Sequence, residues 1–204
     1  MGSEMCIRDS ANAGIEVLLL DLPSEDEDVN LLAQRGKDRI TDTSNPGILS
    51  PAKGKLISVG NVRDDLDKLA ECDWIAEAIL ERLDLKKDLY KKLDDVCHDQ
   101  AIISSNTSTI PIRLLVEDMP KSFRKRFAIT HFFNPVRFMP LLELVAGEDT
   151  DPAIMAQLHE FCDRDLGKGV VSCKDTPGFL GNRVGCYAIP VSYTHLTLPT
   201  IYSV

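Results

Sequence analysis

The sequence predicts an α/β protein with a doubly wound, mostly parallel sheet. Two short apolar runs end in polar groups: residues 15–21 end at Asp21, and residues 101–103 run into the hydroxyl-rich segment 104–109. A helical pattern at residues 82–96 follows an apolar run directly. Strands joined by crossover helices are typical of parallel sheets, where ligand groups collect beyond the carboxyl ends of the strands.

The first half of the chain is predicted to alternate strands with helices. Residues 24–42 are expected to be helical in part, with Ser24 as the cap, and residues 43–53 to form a loop. The other elements expected here are strands at 15–21, 56–59 and 74–76 and helices at 64–69 and 82–96. In the last helix the predicted sheet-facing residues are Leu85, Leu89, Leu93 and Val96, and the predicted outer residues are Lys86, Lys87, Lys91 and Lys92.

The second half continues with shorter elements. Asp151 is expected to cap a helix whose first turn holds Pro152 and which ends at Gly167. The strands expected are the run from 101 into the polar end 104–109, then 127–129, 141–145 and 170–171, and further helical segments are 112–116 and 179–189.

The pair His131 and Glu143 carries the first chemical hypothesis. His131 ends an apolar run, and Glu143 lies in the middle of a predicted buried strand. A buried carboxylate is costly unless it is paired, and His131 is its natural partner. Such a pair fixes the imidazole tautomer and suits a general base, while the alternative is a structural hydrogen bond between two strands.

Four motifs together resemble the L-3-hydroxyacyl-CoA dehydrogenase family. They are Ser-Ser-Asn-Thr-Ser at 104–108, His-Phe-Phe-Asn-Pro at 131–135, Glu143, and Lys-Asp-Thr-Pro-Gly-Phe at 174–179 with Asn-Arg at 182–183. The likeness covers residues 11–189 and is nearest to the long form, in which this dehydrogenase is joined to an enoyl-CoA hydratase-like domain. It implies a Rossmann-like fold and a role in fatty acid β-oxidation.

The resemblance also implies roles for individual residues. His131 would take the proton from the substrate 3-hydroxyl, and Glu143 would hold the imidazole. Ser108 and Asn182 would hydrogen-bond the substrate oxygen or its neighbours. The implied substrate is an acyl-CoA, and the complete enzyme is expected to be a homodimer or part of a multifunctional complex.

The implied cofactor is NAD. Asp21 would accept hydrogen bonds from the adenine ribose and repel a 2′-phosphate. The resemblance puts Glu81 and Lys86 beside the nicotinamide nucleotide, although surface charge is the alternative for both. Asn106 and Asn134 are the remaining residues expected at the cofactor side of the site.

Composition excludes several other classes of protein. The chain has 204 residues, 44% hydrophobic and 27% charged, with a net charge of -9, which argues against nucleic acid or an anionic membrane as partner. No apolar run is long enough to span a membrane. The six cysteines show no paired spacing, so we expect reduced thiols, a cytoplasmic location and no metal site.

The expected organisation is a partial NAD-binding domain at residues 11–178 and the start of a helical domain at 179–189. Residues 1–10 and 190–204 do not continue the pattern and are expected to be foreign or disordered. No G-x-G-x-x-G turn occurs in the chain. The first strand and the pyrophosphate-binding turn are therefore expected to be missing, and this fragment is expected to be inactive.

Two rival functions remain open at this point. Ser108, His131 and Glu143 could form a hydrolase triad, although no G-x-S-x-G turn surrounds Ser108. The chain could also be a non-catalytic remnant of a dehydrogenase. A serine-directed probe would detect a hydrolase. A cofactor titration would distinguish a non-catalytic remnant from an active dehydrogenase.

Overall fold

The structure is a computed structural model that describes residues 4–42, 44, 47–135 and 138–197. The strands in this part of the chain are β1 (Val17–Asp21), β2 (Ile57–Asn61), β3 (Trp74–Glu77), β4 (Ile102–Ser105), β5 (Phe127–Phe132), β6 (Leu141–Ala146) and β7 (Gly169–Cys173). The α-helices are α1 (Glu4–Ala13), α2 (Leu31–Thr41), α3 (Pro51–Gly54), α4 (Leu83–Val96), α5 (Ile112–Leu115), α6 (Lys121–Lys125), α7 (Pro152–Glu160) and α8 (Gly181–Thr197). A 3-10 turn covers Leu66–Glu71, and α7 continues as a π-helical turn at Phe161–Asp165.

The strands form a parallel pair, β1–β2, and a five-stranded sheet in the order β3-β4-β5-β6-β7. Strands β3, β4 and β5 are parallel, β6 runs antiparallel to β5, and β7 runs parallel to β6. This mostly parallel arrangement, crossed by helices, confirms the predicted α/β fold. Because β3, β4 and β5 run in one direction, their carboxyl ends meet at one edge of the sheet.

The five-stranded sheet is covered on both faces, as parallel sheets usually are. One core cluster joins Tyr90 of α4, Phe123 of α6 and Phe127 of β5. The other joins Leu142 and Leu144 of β6 with residues of α7 and its π-helical turn. Every residue of β4 and β5 is buried, so the strands that lead to the candidate site are rigidly held.

The pair β1–β2 has a core cluster of its own and also shares one with the larger sheet. Leu19 of β1 and Ala33 of α2 pack with Ile7 and Ala11 of α1. On the other side, Leu18 and Leu20 pack against the cluster that contains Tyr90.

Both chain ends, which are expected to be foreign or disordered, include helical residues. Residues 4–10 belong to α1, whose Ile7 is buried against the first sheet, because Ile7 and Ala11 lie one turn apart and form an apolar stripe. Residues 190–197 continue helix α8. Residues 1–3 and 198–204 lie outside the described residues, and the foreign origin of both segments stays a prediction.

Helix α4 packs most of its predicted face against the core, with Leu93 buried and Leu89 and Val96 packed against the cluster that contains Tyr90, but two further residues are buried and one predicted residue is not. Its buried residues are Lys86, Tyr90 and Leu93, whereas Leu85 is 36% exposed. The expectation that Lys86 lies outside is therefore wrong. Leu85 lies outside because Lys86, the next residue and about 100° further around the helix, is held inside by its buried polar partners.

Elsewhere the predicted helices and strands are present, but their first and last residues differ from those expected. Helix α2 begins at Leu31 with Asn30 at its N-cap, so Ser24 does not cap it, and Ser24 instead donates a hydrogen bond to Asp26. Asp151 does cap α7, accepting from the N–H of Ala153 at 2.9 Å. Helices α3 and α6 were not predicted. Among the described residues, no helix has the length and apolar character needed to cross a membrane.

Candidate active site

His131 and Glu143 face each other across the antiparallel pair β5–β6, where they are direct partners in the register. Nδ1 of His131 lies 2.7 Å from Oε2 of Glu143. The Glu143 side chain is 1% exposed and that of His131 is 8% exposed. The two groups therefore form a nearly dry pair whose geometry is fixed by two adjacent strands, as the sequence predicted.

The second oxygen of Glu143 ties this pair to the start of α8. Oε1 accepts hydrogen bonds from the N–H groups of Leu180 at 2.9 Å and Gly181 at 2.7 Å. The Cys173 thiol also donates to it at 3.6 Å. Burial alone would raise the pKa of Glu143, but the hydrogen bonds from His131, Gly181 and Leu180 hold that pKa below its usual value.

Two aromatic rings enclose the imidazole. The Phe133 ring lies 4.7 Å from that of His131, and the Phe179 ring lies 5.6 Å away. Phe179 adopts a positive φ of 44°, next to Gly178 at 75°, in the turn that leads into α8. Phe133 in turn approaches Gly181 so closely that a Cβ atom there would lie 2.5 Å from its Cζ. Glycine at position 181 thus permits the contact between α8 and the histidine side of the site.

Ser108 lies in the loop after β4, and Glu81 holds that loop. Oε1 of Glu81 accepts from the N–H groups of Ser108 at 3.2 Å and Thr109 at 3.3 Å, and from the hydroxyl of Thr107. Burial would raise the pKa of Glu81, but the Thr107 hydroxyl, the nearby Lys86 ammonium and the other loop donors hold the pKa below its usual value.

Asn106 connects the ends of β4 and β5. Its Oδ1 accepts from the N–H of Phe132 at 3.0 Å, one residue after His131. Asn106 is therefore engaged with the backbone beside the histidine.

Lys86 reaches inward from the first turn of α4. Its ammonium lies 2.7 Å from Oε1 of Glu77 and 3.4 Å from Oε2 of Glu81. The alternative of a solvated surface charge is therefore wrong for Lys86. Glu81, whose side chain is 38% exposed, lies between this buried lysine and the loop of Ser108.

The other predicted site residues lie at the end of β1, after β5 and at the start of α8. Asp21 ends β1, where its Oδ1 accepts from the N–H of Leu22 at 2.8 Å. Asn182, half-buried, is the second residue of α8, and Asn134 is exposed after the end of β5. Within the part of the chain that the structure describes, neither Ser108 nor Asn182 hydrogen-bonds to His131.

The Ser-His-Glu triad of the hydrolase alternative is therefore not assembled. Glu81 binds the backbone of Ser108, and the described interactions include no contact between Ser108 and the imidazole.

Sequence reasoning missed two carboxylates that organise the site. Glu77 ends β3 and accepts from Lys86. Asp175 accepts from the N–H of Ile112 with both oxygens, at 3.1 and 3.0 Å, and so joins the loop after β4 to the turn before α8. An acid at the end of an apolar strand was a visible signal for Glu77. No local pattern indicates the Asp175 contact, since its partner lies 63 residues away.

Comparisons with known proteins place the chain among dehydrogenases. A family model described as 3-hydroxyacyl-CoA dehydrogenase, NAD binding domain, matches residues 1–176. A probable 3-hydroxyacyl-CoA dehydrogenase of Deinococcus radiodurans is 45% identical over 187 residues, covering 91% of this chain and 54% of that protein. A putative fatty acid oxidation complex trifunctional enzyme of Rickettsia felis is 39% identical over 180 residues, covering 88% of this chain and 25% of that protein.

Among solved structures, 3-hydroxybutyryl-CoA dehydrogenase from Escherichia coli is similar with a TM-score of 0.78 and 31% identity. That match covers 95% of this chain and 40% of the other. The chain thus spans about half the length of the first of these curated relatives and a quarter of the second.

Proposed function

This chain belongs to the 3-hydroxyacyl-CoA dehydrogenase family. We propose that it is part of an enzyme that oxidises L-3-hydroxyacyl-CoA to 3-oxoacyl-CoA with NAD in fatty acid β-oxidation. The observation that carries the proposal is the buried pair of His131 and Glu143, joined at 2.7 Å. The NAD-binding domain is proposed to cover residues 11–178, and residues 179–189 to begin a helical domain.

His131 is the proposed general base. Because Nδ1 faces Glu143, Nε2 is the ring nitrogen left to accept the proton of the substrate 3-hydroxyl. Glu143 stabilises the imidazolium that results, and its own position is fixed by the N–H groups of Leu180 and Gly181. Ser108 and Asn182 are proposed to hydrogen-bond the substrate oxygen and so hold the reacting carbon in place.

NAD, when bound, supplies the hydride acceptor for the substrate C3. The residues that would hold it lie at carboxyl ends of parallel strands: Asp21 after β1, Glu81 and Lys86 after β3, and Asn106 after β4. Asn134 is proposed on the same side. The acids suit ribose hydroxyls, which donate hydrogen bonds. The chain has no G-x-G-x-x-G turn, so no residue here is assigned to the pyrophosphate.

The partners and the cellular location of the protein are also proposals. The substrate is an acyl-CoA, and a relative named as a trifunctional enzyme supports assembly into a multifunctional complex, with a homodimer as the other arrangement. The cytoplasmic location expected from the free cysteines stays a prediction.

The test is His131→Gln in the protein expressed from its complete gene. Loss of a general base should lower kcat for NAD-dependent oxidation of 3-hydroxybutyryl-CoA by about 10²–10⁴-fold. His159→Gln is the matched control, because His159 is exposed on α7, and it should leave kcat unchanged. Equal turnover of wild type and His131→Gln would refute the assignment of the base. A wild-type protein that binds NAD without turnover would instead support the non-catalytic remnant.

A further inference from the structure

Glu77 is a buried carboxylate with an unusual number of donors. It ends β3, and its side chain has no exposed surface. Oε1 accepts from the Lys86 ammonium and from the N–H of Ile79, both at 2.7 Å. Oε2 accepts from the hydroxyls of Tyr90 at 2.7 Å and Ser105 at 2.6 Å.

These contacts divide the carboxylate into two sides with different partners. On the Oε2 side, Tyr90 packs against Phe127, and the Ser105 hydroxyl also accepts from the N–H of Thr107 at 3.3 Å, a shorter path to the loop that Lys86→Met leaves intact. On the Oε1 side, Lys86 leads outward to the site. A buried charge needs such partners, because an unpaired carboxylate in a protein interior costs several kcal/mol.

Lys86 connects Glu77 to Glu81. Its ammonium is 1% exposed and lies 2.7 Å from Glu77 and 3.4 Å from Glu81. A lysine on a flexible four-carbon stem has many rotamers. The short contact to Glu77 selects the rotamer that also faces Glu81.

Glu81 in turn holds the loop of Ser108. Its Oε1 accepts from two successive N–H groups, those of Ser108 and Thr109, and from the hydroxyls of Thr107 and Thr109. The carboxylate is partly exposed, so water competes with the loop for these hydrogen bonds. The Lys86 ammonium, 3.4 Å from the other oxygen of Glu81, favours the orientation that faces the loop.

We propose that Glu77 is a positioning residue of the active site: through Lys86 and Glu81 it holds the loop 107–109 in the place where Ser108 meets the substrate. This inference rests on the proposed function, which supplies the substrate contact of Ser108. Glu77 itself touches neither substrate nor cofactor in this proposal.

Hydrogen exchange in the loop tests this connection without any turnover. In the 204-residue chain, Glu77→Gln should increase exchange of the Ser108 and Thr109 N–H groups by about 10-fold or more. Lys86→Met should have the same effect while leaving Glu77 its three other donors. Tyr90→Phe is the matched control: it removes a donor from the Oε2 side and should leave exchange in the loop unchanged. Unchanged exchange in folded Glu77→Gln or in Lys86→Met would overturn the proposal.

Kinetics of the protein expressed from its complete gene give the second readout. Glu77→Gln should lower kcat on the order of 10-fold, with a smaller change in the KM for 3-hydroxybutyryl-CoA. The loss should not add to that of Ser108→Ala, because both variants remove the same contact. Fully additive losses, or an equal loss of kcat in Tyr90→Phe, would show that Glu77 acts only on general stability.

The two readouts separate the two proposals. If wild type shows no NAD-dependent oxidation, the proposed function fails, and the exchange experiment still decides whether Glu77 holds the loop. If wild type is active and the exchange is unaffected, the positioning role fails alone.

Discussion

At the scale of single residues, the two oxygens of the Glu143 carboxylate bind different partners. One oxygen is hydrogen-bonded to Nδ1 of His131, and the other accepts hydrogen bonds from the N–H groups at the start of α8. The histidine tautomer and the docking of the helix therefore depend on the same ionised group. Changing Glu143 should alter both the orientation of the His131 ring and the stability of the fold.

The stability effect has a predictable pH dependence. The pKa of Glu143 is held below its usual value of 4.5 in the folded protein. A carboxyl with a lowered folded pKa contributes stability that is fully present above its unfolded pKa and is lost as the pH falls through the folded pKa. Relative to Glu143→Gln, wild type should therefore be more stable at pH 6, with the difference shrinking below pH ~4.5. Urea unfolding of both proteins between pH 3.5 and 6 measures it, and Glu148→Gln, at an exposed position, is the control. A difference that does not vary with pH would contradict the role of the ionised form.

The choice between NAD and NADP is predicted to depend on Asp21. Its carboxylate ends β1 and is only half-buried, so it can reach a ribose and would repel a 2′-phosphate. The protein expressed from its complete gene should prefer NAD to NADP. Asp21→Ala should lower the ratio of kcat/KM with NAD to kcat/KM with NADP. Equal use of both cofactors by wild type would show that Asp21 is not the ribose acid.

At the scale of elements, helix α8 meets the site at Gly181. A Cβ atom there would lie 2.5 Å from Cζ of Phe133, whose ring packs on His131. Gly181→Ala should therefore push the Phe133 ring against the imidazole or pull the Gly181 N–H away from Glu143, lowering kcat on the order of 10-fold. At Gly185, on the same helix, a Cβ would meet nothing within 4 Å. Gly185→Ala should leave kcat unchanged and stabilise the helix by about 0.5–1 kcal/mol. Comparable kcat for the two alanine variants would contradict the close contact.

The elements also show which features a sequence can predict. Strands β1, β4 and β5 were predictable because a continuous apolar run has few other ways to be buried. The pairing of His131 with Glu143 was predictable because both lie in such runs. The burial of Lys86 and Tyr90 in α4 was not predictable, because both hydrogen-bond to Glu77. That partner is contributed by another strand, and a helical pattern alone does not contain it.

Long-range polar contacts were missed for the same reason. The carboxylate of Asp175 and the N–H of Ile112 are 63 residues apart, and neither residue is unusual in its local pattern. The sequence therefore predicted the pairing of His131 with Glu143 better than the contacts that join distant loops around it.

At the scale of the whole molecule, the two sheets share a core but not a hydrogen-bonded ladder. Leu18 and Leu20 of β1 pack on the cluster that contains Tyr90, yet among the described strands β1 pairs with β2 alone and β3 with β4 alone. One edge of β1 and one edge of β3 therefore have no strand partner in the described residues. Unpaired edges of this kind favour association between chains.

The last prediction concerns cofactor binding by the 204-residue chain itself. The proposed cofactor residues Asp21 and Glu81 would contact only the ribose groups, and the sequence offers no G-x-G-x-x-G turn to place backbone N–H groups around the pyrophosphate. We therefore expect this chain to bind NAD weakly and to be inactive, even though His131 and Glu143 are already paired. Calorimetric titration with NAD, together with NADH absorbance in the presence of acetoacetyl-CoA, measures both properties, with the His131→Gln chain as the control for turnover. Saturable micromolar binding, or turnover above that control, would mean that residues of this chain, such as those around α1 and Gly14, hold the pyrophosphate without the glycine-rich turn.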